Sequence, residues 1–205
     1  MGALNPAVAR VKFDREVIQF RELADHFRQK GVFLLEADYP TALVLFAAPQ
    51  LTPPGLVMAV MFDYSEFDLK PPSIRFVNPF TGIPYTKPQL PTEMPRAVEV
   101  PLPEGFPVPA PPPGAGADAR PIMITHQPLI QVHEGGVPFL CVPGVREFHE
   151  HPGHTGQSWE LERPTGAGGL VRLVEMIHKY AIEPIGGWSV NLVPQVVFGI
   201  SEPPR

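Results

Sequence analysis

Between Phe139 and Trp159 the chain reads FLCVPGVREFHEHPGHTGQSW. Cys141 is the single cysteine of the protein, and Glu147, His149, Glu150, His151 and His154 follow it closely. A cysteine thiolate is a strong nucleophile near neutral pH, able to take an acyl group from a thioester and hold it as a new one. Neighbouring imidazoles can lower the thiol pKa or move its proton, and His126 and His133, upstream across the preceding strand pair, could serve an oxyanion and an acceptor's proton. The same stretch supports a second chemistry. Cys141 with His149, His151 and His154 offers up to four nitrogen and sulfur ligands, a set suited to zinc. Glu147 or Glu150 would be a further ligand or an outer partner. In an extended segment His149 and His151 share a face, and Pro152-Gly153 would turn His154 back toward them. A metal on Cys141 would occupy its thiolate, so the two chemistries compete for that residue, whereas a metal held by histidines and glutamate alone would leave it free. A third reading makes Cys141 a small buried hydrophobe beside a polar loop.

The remaining elements must position this stretch. The 205 residues suit a single domain, 1–205, with a real core. Formal net charge is -5 with no block of like charge, which argues against nucleic acid or an anionic membrane as partner. No apolar run reaches the ~18 residues of a membrane span, and the first residues show no signal-peptide pattern. One cysteine forms no internal disulfide, so a reducing cytoplasm is the expected compartment. No nucleophile-elbow or phosphate-loop pattern is present.

In chain order, Asp14 is a helix N-cap candidate, followed by Val17, Phe20, Leu23, Ala24 and Phe27 at helical spacing and by Gly31 as a stop. This predicts a helix over 14–30. Apolar runs at 32–37, 41–48 and 56–64, separated by Tyr39-Pro40 and by Pro53-Pro54-Gly55, predict an antiparallel meander, with SIRFV at 73–77 as a fourth strand. The 29 prolines greatly exceed the roughly 10 of average usage, and many fall between 84 and 121. That stretch predicts an extended insertion, because each proline removes a donor and fixes φ. Residues 122–142 predict a hairpin about Glu134-Gly135-Gly136, with Cys141 ending its second arm. Leu170, Leu173, Val174 and Ile177 predict a helix over 168–181, and 182–205 forms a C-terminal extension.

The succession of helix, four-stranded meander, proline pair, hairpin, cysteine and helix resembles the ubiquitin-conjugating enzyme (UBC-like) family. The most telling stretch is FDYSEFDLKPPSIRFVNPFTG at 62–82, where Lys70, Pro71, Pro72, Arg75 and Phe76 fall on family positions. Cys141 falls where the family's thioester cysteine sits, and Trp159 resembles the tryptophan before the next helix. In place of the family's His-Pro-Asn tripeptide stand His126-Gln127-Pro128 and, further on, His133. The pattern is similar to divergent bacterial relatives found with ubiquitin-like proteins, activating enzymes and deubiquitinase-like peptidases. Among these is a group marked by a metal-binding signature of one Cys, one Glu and two His, which Cys141 and the 147–154 cluster fit. The resemblance implies an α+β fold of UBC type and a transferase carrying a ubiquitin-like protein on Cys141. It implies an activating enzyme as second partner and a bacterial conjugation pathway, antiviral defence included. The alternative it implies is a non-catalytic, zinc-binding partner protein of the same pathway.

Overall fold

The structure, a computed structural model, describes residues 5–102, 122–132, 136–154 and 156–189. It is an α+β arrangement in which two helical segments pack on one face of a four-stranded sheet. Helix α1 spans Pro6–Glu22, and α2, Ala24–Gln29, continues it after a break at Leu23. The helix begins well before the expected Asp14. Asn5 is the cap: its side chain accepts from Ala7 N at 3.1 Å, and Pro6 occupies the first turn, where no amide donor is needed. Ala9, Phe13, Val17 and Phe20 make the buried stripe.

Strands β1 (Val32–Asp38), β2 (Thr41–Ala48), β3 (Gly55–Asp63) and β4 (Ser73–Val77) form an antiparallel sheet in sequence order, as the apolar runs predict. Burial alternates along β2, so Ala42, Val44 and Phe46 turn inward. They meet Phe13 and Phe20 of α1 and Leu170, Leu173 and Val174 of the C-terminal helix α5 (Leu170–Ile177) in one core. Each fully buried phenylalanine contributes about 1.5–3 kcal/mol. The last helix continues through a π-helical turn, His178–Ile182. Its first turn is capped from outside: Glu16, 6% exposed, accepts Leu170 N at 3.1 Å.

The hairpin expected over 122–142 is divided in two. Its first arm, β6 (Ile122–Pro128), pairs instead with β5 (Pro95–Pro101), a strand inside the proline-rich stretch. The prolines fit because they bracket the ladder: Pro95 stands opposite Pro128, and Pro101 opposite Ile122. A two-stranded ribbon is all edge, where a missing donor costs little. The second arm, β8 (Pro138–Leu140), pairs with the short β7 (Ile130–Val132). The core of the proline-rich insertion and much of the C-terminal extension lie outside the described residues.

Candidate functional site

Cys141 follows β8, whose three residues are all buried, and its own backbone N donates to Leu129 O at 2.7 Å. The thiol is therefore delivered at the rim of the core, half-buried. The chain must then turn sharply. Gly144 has φ of 115°, and a Cβ there would overlap the Ala167 carbonyl, so only glycine serves.

The helix α3, Arg146–Glu150, carries three side chains in three directions. Arg146 grips the Lys70-Pro71-Pro72 segment: its N donates to Pro72 O at 2.9 Å, its Nε to Pro71 O at 3.3 Å, and its guanidinium meets Glu66 at 3.3 Å. Glu147 points back to the sheet, accepting from Ser73 Oγ and from Ile74 N at the start of β4. Phe148 is buried and anchors the turn. This helix, rather than an extended segment, separates His149 from His151. The Nδ1 of His149 meets Gln157 O at 2.9 Å, while His151 Nδ1 accepts from Gly153 N at 3.1 Å. A helical turn over Pro152–His154 then brings the last histidine back over Phe148, rings stacked at 4.1 Å.

The result is a thiol–imidazole pair. His154 Nε2 lies 3.0 Å from Cys141 Sγ. Burial pushes the Cys141 thiol above its ordinary value, partly opposed by the positive charge of Arg96. Burial, helped by His151 and then His149, holds His154 below the usual histidine value. Both shifts favour the uncharged pair at rest.

Other expected site residues lie elsewhere. His126 is exposed on β6, opposite Ala97, and so projects from the ribbon face opposite the one that carries Arg96 and Gln127. His133 falls outside the described residues. Glu150 is exposed at the end of α3. Glu147 is committed to β4, and among the described residues no three His, Cys, Asp or Glu side chains converge on a metal position. Arg96, whose charge lowers the Cys141 pKa from β5, carries no site signal in its sequence context. A groove of about 810 Å³ runs along Leu51, Pro53, Leu56, Pro95, Ile185 and Trp188, and neither the cysteine nor a histidine lines it.

Fold and site together define an α+β protein with a half-buried cysteine–histidine pair at the end of a core strand. A family model described as Y4jH-like, Y4jH family, matches residues 4–185, and the chain belongs to that family. It is similar to the "Uncharacterized protein y4jH" of Sinorhizobium fredii (strain NBRC 101917 / NGR234), with 36% identity over 205 residues, covering 97% of this chain and 93% of the relative. Among the described residues no helix is long and apolar enough to cross a membrane.

Proposed function

We propose that the protein is a conjugating-type transferase of UBC-like fold that receives a ubiquitin-like protein from an activating enzyme and carries its C-terminal glycine as a thioester on Cys141. The observation that carries this reading is the placement of that thiol, at the end of β8, half-buried and in contact with His154. The surrounding packing supports it. Pro72 lies against Gly168, and Trp159, first residue of the short α4 (Trp159–Glu162), covers the same point while its Nε1 donates to Asp68 O at 3.0 Å. The Lys70-Pro71-Pro72 segment, the cysteine loop and the start of α5 thus act as one frame.

In loading, Sγ attacks the carbonyl of the activating enzyme's thioester and the donor's thiolate leaves. In discharge, an acceptor amine attacks the new thioester and Cys141 is released. Such a thiol must stay reduced, which fits a cytoplasmic setting, and a bacterial conjugation pathway such as antiviral defence is the expected context.

The test is incubation with ATP and with the ubiquitin-like protein and activating enzyme of the same genome. Wild type should gain one carrier mass, lost on treatment with a reducing thiol, and Cys141→Ala should gain none. An adduct of equal yield on Cys141→Ala would sink the proposal.

A further inference from the structure

We propose that His154 is the general base of the Cys141 site: it takes the thiol's proton as the acyl group is loaded and the acceptor's proton as the acyl group leaves. The inference rests on the thioester reading above and specifies how that site turns over.

The geometry is that of direct proton transfer. Nε2 and Sγ are 3.0 Å apart, and the imidazole is held in place from two sides. Its ring stacks on buried Phe148 with an interplanar angle of 19°, and its backbone N donates to His151 O at 3.0 Å. Of the three clustered histidines, His154 is the one whose ring nitrogen reaches the sulfur. Its neighbours are consistent with a neutral base. His149 faces it from α3, His151 from the residue after that helix and Cys141 from the end of β8, and Arg96 acts on the sulfur from β5. A positive charge on His154 is disfavoured by its burial and by the two histidines, so near pH 7 the ring is free to accept a proton.

The step balances without a further reactant. During loading the S–H proton passes to Nε2 as the S–C bond forms, and the donor's departing thiolate takes that proton from the imidazolium. During discharge the acceptor's N–H proton passes to Nε2 as the C–N bond forms. The C–S bond breaks, and Sγ recovers the proton. The products are an amide and the free thiol. Because the base is built into the chain, discharge to a small amine needs no second protein.

The experiment uses the full chain and a fluorescent Gly-Gly peptide as its mercaptoethanesulfonate thioester, with free lysine as acceptor. Loading and discharge are followed by intact mass and gel fluorescence between about pH 6 and pH 9. General-base catalysis is typically worth 10²–10⁴-fold, so His154→Gln should slow both steps by about 10²-fold near pH 7. The gap should close as alkali ionises the thiol directly, and imidazole in the buffer should restore part of the rate of His154→Ala. If wild type loads and His154→Gln matches it in rate and pH profile, the base assignment is overturned and the thioester reading stands. If wild type does not load while Cys141 is readily alkylated, the thioester reading itself fails. Should both variants unfold, the wild-type profile decides. A loading rate nearly flat between about pH 7 and pH 8 supports the base, and a rate rising about tenfold per pH unit, following thiolate alone, overturns it.

Discussion

Glu147, on α3, and His154, in the helical turn after it, do opposite kinds of work. Glu147 satisfies Ser73 Oγ and the Ile74 amide, both in residues almost wholly buried. Removing it strands those donors, so Glu147→Ala should lower stability by about 1–3 kcal/mol in urea denaturation while leaving Cys141 open to iodoacetamide. An unchanged urea midpoint would contradict that role. A chelator should make no difference to the alkylation rate, since among the described residues no set of three candidate ligands surrounds a metal position. Sequence spacing is enough to single out Cys141 and the histidines as a set. It does not reveal which histidine meets the sulfur, because that choice is made by the α3 turn and the Phe148 anchor. The extended reading of His149–His151 fails because Arg146–Glu150 coils into α3 with Phe148 buried.

At the scale of elements, the meander was legible because buried runs broken by proline and glycine leave few alternatives. The ribbon was not. Proline counts against a strand in general, yet the rule concerns the ladder side of the residue, and Pro95 and Pro101 stand at the ends. The same limit applies to the first helix: Asp14 matches the cap pattern, although Asn5-Pro6 supplies both a side-chain acceptor and a preset φ. The junction between elements offers a sharp test at Gly168. A Cβ there would meet Pro72 Cδ at 2.9 Å, Trp159 at 3.0 Å and Phe67 at 3.2 Å. A proline ring cannot swing aside, so Gly168→Ala should cost about 1–3 kcal/mol by overpacking. It should also speed proteolysis of the cysteine loop, because Pro72 O accepts from Arg146 N on the other side of the contact. Wild-type stability in that variant would show that the frame of Lys70-Pro71-Pro72, Trp159 and α5 is looser than its contacts imply.

Across the whole molecule, polar contacts among the described residues join the N-terminal helical pair to α5 at one buried point and one open one. The buried one is Glu16 on the Leu170 amide. The open one is Glu175, which meets Lys30 Nζ at 2.8 Å and His26 Nε2 at 3.1 Å. Burial raises the Glu175 pKa, but hydrogen bonds and charge from Lys30 and His26 outweigh it and hold the carboxyl below its ordinary value of 4.5. A carboxyl with a depressed folded pKa stabilises above its unfolded value, and that contribution is lost as pH falls through the folded one. His154 adds a second window. Its folded pKa is also depressed, below 6.5, so unfolding takes up a proton and stability declines as pH falls from about 6.5 toward the folded value. Acid should therefore weaken the protein in two stages, first in the histidine range and then in the carboxylate range. Urea titrations of wild type, His154→Gln and Glu175→Gln between about pH 7 and pH 3 separate them. His154→Gln should flatten the upper stage alone, and Glu175→Gln the lower. The Glu175 contribution should also shrink in high salt, since both partners reach solvent and screened surface pairs weaken. If the upper stage persists in His154→Gln, the proton is being taken up elsewhere, and the neutral imidazole that the proposed acyl transfer requires loses its independent support.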